Sequence, residues 1–472
     1  MRSFCALAVL LVTAACATTG TKTADSKGPP SPVVTIPSDP YPSTYKPYGG
    51  VPTVLQNATI YDGRGGRIDG GMVLLQAGKV AAVGKTVAVP TGATVIDATG
   101  KWVTPGIIDI HSHLGDYPSP GVRANSDGNE ATGPVRSEVQ AEHSIWPQDP
   151  GFSRALANGG ITALHILPGS ANLFGGRGTT LKNVEARTMQ GMKFPGAPYS
   201  LKMACGENPK RVYGSRNQAP GSRMGNLAVN RQTWARAVEY RRKWAEYRSK
   251  ADKGTAKPGD APSRDLQMET LALVLDGKIL VENHCYRADE MANVIDMSKE
   301  FGYKVTAFHH AVEAYKIADL LRENDICAAM WADWYGFKME SNDGIRENMP
   351  FVHAAGGCAI THSDDADGIQ RLNQEAAKAM ADGNRVGLGI TPEVAWTWLS
   401  YNPAKGLGIA EKTGSLEVGK MADVVLWNGD PFSVYTRPEK VWIDGAMMYD
   451  AITGLRPVSD FELGQPGEGD VK

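Results

Sequence analysis

Between residues 105 and 404, short apolar runs alternate with helical stretches, and this alternation restricts the fold more than any other feature of the chain. The runs ITALHILP, KILVENH, YKVTAFHH and GGCAITHSD are apolar on both faces. EAYKIADLLREN and RLNQEAAKAMADG between them carry the spacing of amphipathic helices. Strands buried on both faces belong to a parallel sheet covered by helices. Repeated over roughly 300 residues, such units predict a closed (β/α)8 TIM barrel.

Two pieces of different character flank that region. Residues 51–104 read as short strands broken by turns, VPTVLQNATIYDG, GGMVLLQAGKVAAVG and ATVIDATGKWVTPG. GSLEVGKMADVVLWNGDP and EKVWIDGAMMYD repeat the pattern within residues 405–460, with 461–472 left as a tail. Together they predict a small β-sandwich domain assembled from both sides of the barrel. Segment 214–264 interrupts the barrel rhythm with the polar helical stretch NRQTWARAVEYRRKWAEYRSKADKG. It reads either as an insertion in a loop at the active-site end or as a solvated helix covering the barrel.

The chain starts with MRSFCALAVLLVTAAC, one arginine before an apolar run too short to span a bilayer, and residues 1–16 read as a signal peptide. The ending Thr13-Ala14-Ala15-Cys16 resembles a bacterial lipoprotein signal, which would place a lipid on Cys16. Residues 17–50 are rich in Pro, Ser, Thr and Gly and predict a disordered tether. Such a tether would hold the body on the order of 30 Å from an anchored end. The expected location is the periplasm or the outer membrane, with membrane contact only through the lipid. A formal net charge of -2 gives no electrostatic case for nucleic acid. Cys205, Cys285, Cys327 and Cys358 are scattered without a CxxC pair, and the expectation is buried thiols without a disulfide framework. The sequence leaves a homo-oligomer open.

The strongest chemical signal is Thr104-Pro-Gly-Ile-Ile-Asp-Ile-His-Ser-His113. Side chains alternate along a strand, so Asp109, His111 and His113 share one face, and the two imidazoles converge at the C-terminal mouth of the barrel. His284, the pair His309-His310, and Asp364 each end a later apolar run. Neutral imidazoles with a carboxylate suit zinc or a similar divalent ion, one or two per chain, in a catalytic site with an open position. His362 shares a strand face with Asp364 and would stand just behind the ligands; His143, His165 and His353 read as core or surface residues. A second metal needs a bridging group. Lys202 points inward by alternation and could bridge as a carbamate, while Glu207 could reach the site if Gly206 turns the chain. Arg177 and Arg211 follow strand ends and are candidates to clamp a substrate carboxylate.

With PGIIDIHSH, the late SDD and NPAKGLGIAEKTGSLEVGKMADVVLWNGDP in view, the chain resembles the amidohydrolase superfamily, in its imidazolonepropionase-related branch, from about Val51 to Asp450. The resemblance implies that His111 and His113 bind the more buried metal. His284 and His310 would bind the other, with Asp364 completing the site. It prefers His310 to His309 because relatives place the ligand directly after a polar residue. The reaction implied is hydrolysis of a C–N amide bond in a peptide, an N-acyl amino acid or a cyclic amide by a metal-bound hydroxide, with Asp364 moving the proton. A mononuclear deaminase and a non-catalytic lipoprotein that captures metal or ligand are the alternatives.

Overall fold

The computed structural model describes residues 35–257 and 259–455. Cys16, with the rest of the expected signal peptide, and the tail 461–472 lie outside the described residues.

The chain first lays down β1 (Thr53–Tyr61), β2 (Arg67–Gln76), β3 (Lys79–Gly84), β4 (Thr94–Asp97) and β5 (Trp102–Pro105). The barrel strands follow: β6 (Ile107–Ser112), β7 (Ile161–Ile166), β8 (Phe174–Lys182), β9 (Ser200–Ala204), β10 (Leu280–His284), β11 (Ala307–His309), β12 (Cys327–Met330) and β13 (Cys358–Thr361). These eight pair in sequence order, a TIM-barrel arrangement. Around them run α1 (Pro150–Gly159), α2 (Met189–Met192), α3 (Glu207–Gly214), α4 (Arg223–Asp252), α5 (Leu266–Leu275), α6 (Ala288–Phe301), α7 (Ala318–Glu323), α8 (Asn348–Ala354) and α9 (Leu372–Arg385). Local chemistry fixes where such helices start and stop. Asp149 caps α1 by accepting from Gly151 N, Pro150 opens its first turn, and Gly160 closes it at φ 65°.

The barrel departs from the expected all-parallel form at one strand. β8 runs antiparallel to both β7 and β9, whereas the other ladders are parallel. The reason is the link: residues 167–173 are too few for the crossover that parallel neighbours need. Among the described residues no ladder joins β13 to β6. Asp364 N donates to His111 O at 3.0 Å and Ser363 N to Asp109 Oδ1 at 3.2 Å, so the seam closes through residues at the mouth.

The flanking strands form one continuous nine-stranded sheet, because β5 pairs antiparallel with β14 (Val424–Trp427). β15 (Pro438–Ile443), β16 (Ala446–Asp450) and β17 (Gly454–Leu455) complete it. Leu55, Val73, Leu75, Val103, Val424, Leu426 and Trp442 pack into its own apolar core.

Two expectations need correction here. Residues 35–50 are docked on the barrel and are no disordered tether. Lys193 Nζ donates to Asp39 Oδ1 (2.9 Å) and Tyr41 O (2.7 Å), Thr44 N donates to Gln190 O (3.0 Å), and Tyr45 OH donates to Asp444 Oδ2 (2.6 Å). The tyrosines supply anchoring that the Pro/Ser-rich composition conceals. Second, the four cysteines form two disulfides, Cys205–Cys285 and Cys327–Cys358. Their wide spacing in sequence is no measure of distance in a barrel, where consecutive strands are neighbours. Cys327 and Cys358 stand opposite each other in the β12–β13 register, and Cys205 and Cys285 each follow the register pair Ala204–His284.

Candidate metal centre

The site is built where β6, β10, β11 and β13 end. His111 is fully buried on β6 and His113 lies just past it, their rings edge to face at 5.1 Å. Asp364 closes the group: Oδ1 lies 3.3 Å from His111 Nε2 and 3.1 Å from His113 Nε2, and Oδ2 lies 3.9 Å from His310 Nε2. His310 and Asp364 have φ of 57° and 59°. Neither is glycine, and left-handed backbone of this kind concentrates where a site demands it. At 310 it has a visible effect. Neighbours on a regular strand point to opposite faces, yet both His309 and His310 turn inward.

The two rings have different jobs. His310 joins His111 and His362 in one group whose ring nitrogens could share a cation; His111, His113 and Asp364 form the other. His309 stands behind His111, with Nδ1 to Nδ1 at 2.8 Å, and its Nε2 meets Glu282 Oε2 at 2.5 Å. If His111 is to offer its Nε2 lone pair to a cation, its Nδ1–H donates to His309, whose Nε2–H donates to the Glu282 carboxylate. His113 is set in the same way, because Leu167 O, which can only accept, lies 2.7 Å from Nδ1.

The donor set fits a divalent cation. Burial holds His111, His284 and His310 well below the ordinary imidazole range, so the rings are neutral, as ligands must be. Three buried polar atoms here, His284 Nδ1, His362 Nδ1 and Glu282 Oε1, have no hydrogen-bond partner among the described residues. Lone pairs of neutral rings facing a carboxylate oxygen repel it unless a cation lies between them.

Lys202 enters from β9 with Nζ 3.4 Å from His111 Nε2 and 3.0 Å from Pro168 O. Burial pushes its ammonium down to about 8. Glu207 does not join the cluster. Gly206 does turn the chain, at φ 75°, but the turn starts α3, and the Glu207 backbone N–H donates to Glu340 Oε2 at 2.7 Å. His284 touches the cluster through the His310 ring at 4.9 Å, and Asn208 Nδ2 lies 3.3 Å from its Nε2.

Arg177 is a correction. Its side chain faces α5 and the N-terminal segment, Nε donating to Thr270 Oγ1 (2.9 Å) and Nη1 to Ser38 O (3.4 Å), because β8 is reversed relative to its neighbours and carries it away from the mouth. Arg211 is exposed on α3. His165 is a satisfied core residue between Thr180 Oγ1 and Ser200 Oγ. Residues that sequence reasoning missed include Glu282, legible in hindsight two positions before His284 on the same strand face. Trp331, stacked on His310 at 4.6 Å and His362 at 4.9 Å, and Lys338, whose Nζ reaches Asn208 Oδ1 at 3.1 Å, were also missed. These two lie in a loop without periodicity. Beside His362, Trp331, Trp334, Arg371 and Phe432 line a cavity of 540 Å³, within the range of small-molecule sites.

The family described as "Amidohydrolase family" matches residues 102–449. A solved amidohydrolase structure from Thermotoga maritima MSB8 is 35% identical and superposes with a TM-score of 0.76, covering 84% of this chain and 100% of that one. Amidohydrolase tasK of Hapsidospora irregularis is 31% identical over 434 residues, 85% of this chain. This chain spans only 44% of that relative's length. An imidazolonepropionase of Mesorhizobium japonicum is 24% identical over 405 residues, 79% of this chain and 90% of its own.

Proposed function

The chain belongs to the amidohydrolase family, and from that membership we propose that it is a metal-dependent hydrolase of C–N amide bonds. The substrate is a peptide, an N-acyl amino acid or a cyclic amide. The observation that carries the reading is Asp364, held against the Nε2 edges of His111, His113 and His310 by a backbone conformation that a non-glycine residue adopts only at a cost.

His111, His113, His284, His310 and Asp364 would hold one or two divalent cations, zinc by the imidazole-rich donor set, with His362 against His310 as a further donor. A cation there would supply polarisation of the scissile carbonyl and a water that is nucleophilic at neutral pH. Asp364 takes the proton of the attacking water on a carboxylate oxygen and returns it to the leaving nitrogen. Lys202, neutral more easily than an ordinary lysine, would be the residue to react with CO2 and bridge two cations as a carbamate, in preference to Glu207. The location proposed is exported, with a lipid on Cys16, and a hydrolase outside the cytoplasm meets peptides and foreign amides.

Zinc-loaded protein assayed on dipeptides, N-acyl amino acids and cyclic amides tests the reading. Asp364→Asn should lose about 10²–10⁴-fold in kcat while keeping most of its zinc. Full activity in that variant would remove Asp364 from the chemistry.

A further inference from the structure

Resting on this reading of the site, we propose that Lys338 binds a carboxylate of the substrate. The enzyme then acts on amides with a free carboxylate close to the scissile bond, N-acyl amino acids and dipeptides, in preference to neutral cyclic amides.

Lys338 has no contact ion pair among the described residues: Glu207, Asp364 and Glu340 attract its ammonium from beyond that distance, and Arg211 opposes them. An ammonium carries three N–H donors. Two go to neutral oxygens, Asn208 Oδ1 at 3.1 Å and Tyr286 OH at 3.0 Å. Among the described residues no carboxylate stands within ion-pair distance of Nζ. Two more deeply buried lysines behave otherwise: Lys182 holds Asp423 and Asp444, and Lys193 holds Asp39 and Glu142. A partly buried cation without an anion in contact gains from one that arrives, and the third N–H is free to meet it. Burial lowers its ammonium below the ordinary value, while the ring faces of Tyr286 (5.2 Å) and Phe337 (5.7 Å) soften that cost.

The position is as telling as the charge. Asn208 contacts Lys338 through its oxygen and His284 Nε2 through its nitrogen, so one side-chain amide separates Nζ from the histidine cluster. That is the scale on which a carboxylate follows the amide nitrogen in an N-acyl amino acid. Around it the walls are aromatic: Tyr286 lies edge to face on His284 at 4.6 Å, and Phe337 meets Trp331 at 5.7 Å. The residue that bears the carboxylate therefore carries an apolar side chain.

The test uses zinc-loaded full-length protein and two probes, N-acetyl-L-phenylalanine and its neutral carboxamide. Binding is measured by calorimetry in the Asp364→Asn background, with Lys338 intact, Lys338→Met or Lys338→Arg. With Lys338 the acid should bind at least about 10-fold tighter than the carboxamide. Lys338→Met should bring the two within about 2-fold, and Lys338→Arg should restore part of the preference, which a merely structural role would not do. In the otherwise native enzyme, Lys338→Met should raise KM for the acid by about 10–100-fold and change kcat by only a few fold. No preference for the acid with Lys338 present, or an undiminished one in Lys338→Met, overturns the proposal. A Lys338-dependent preference together with no hydrolysis of any amide tested would uphold the carboxylate subsite and overturn the amide-hydrolase reading instead.

Discussion

His310 and Asp364 each adopt left-handed backbone at a cost of about 1–3 kcal/mol, and the return is a convergence that strand geometry alone denies them. His111 and His113 were legible from sequence because alternation on a single strand puts both on one face. The His309-His310 pair was not fully legible, since alternation allows only one of them inside and a positive φ leaves no mark in the residue code. The outcome gives both a task, with His310 on Asp364 and His309 linking His111 to Glu282. With a cation on His111 Nε2, Glu282 would be a positioning residue that, through His309, holds the proton of His111 on Nδ1. Glu282→Gln keeps an acceptor oxygen for His309 and removes the charge that would balance a cation. It should weaken zinc affinity about 10–100-fold in a competitive chelator titration, at little change in fold. Unchanged affinity would mean that the His111 tautomer is set elsewhere.

At the scale of elements, the alternation of buried runs and helices announced the barrel. What it missed was β8, whose reversal follows from the length of one link and not from its composition. The two disulfides were missed for a related reason: they are fixed by register between neighbouring strands, which spacing along the chain does not report. The inserted helix α4 covers Arg223–Asp252. Trp234, Ala237, Tyr240, Trp244 and Tyr247 are buried along one side of it, while Arg223 at its start meets Glu290 and Glu340 beside the turn that begins α3. Trp234 is the anchor, stacked on Tyr303 at 4.2 Å and edge to face with Phe174 at 5.6 Å. Trp234→Ala should cost about 3–5 kcal/mol by transfer and cavity terms. Because the anchored helix carries Arg223 to the rim, protease cutting within 223–252 should also rise. A loss under about 1 kcal/mol would mean that α4 is held by its ends, not by this side.

Across the whole molecule, the most informative joint is the one that ties the late sheet strands to the barrel. Composition showed that both flanks were β, but not that they would share one ladder, because β5–β14 pairing is a contact between segments some 320 residues apart. Lys182 at the end of β8 is fully buried there, 3.1 Å from Asp423 Oδ1 and 2.7 Å from Asp444 Oδ2. Thr413 Oγ1 donates to Asp423 Oδ2 and Tyr45 OH to Asp444 Oδ2, so the barrel, the sheet and the docked N-terminal segment meet at one cation. Two carboxylates share that single charge, and burial together with Asp423 raises the Asp444 carboxyl above its ordinary value. A raised folded-state value means that the folded protein holds the proton more tightly than the unfolded chain. This stabilisation is complete below the unfolded carboxyl value near 4 and is lost as pH rises through the folded one. Removing the cation in Lys182→Met widens that gap, because Asp423 and Asp444 then face each other with no neutralising charge. Breaking a buried pair in this way should cost about 3–5 kcal/mol when both carboxylates are ionised. Thermal midpoints should therefore fall further at pH 8 than at pH 5, and Lys182→Met/Asp444→Asn should recover part of the loss at pH 8. A deficit independent of pH, or no recovery in the double variant, would show that Lys182 acts through packing and not through charge.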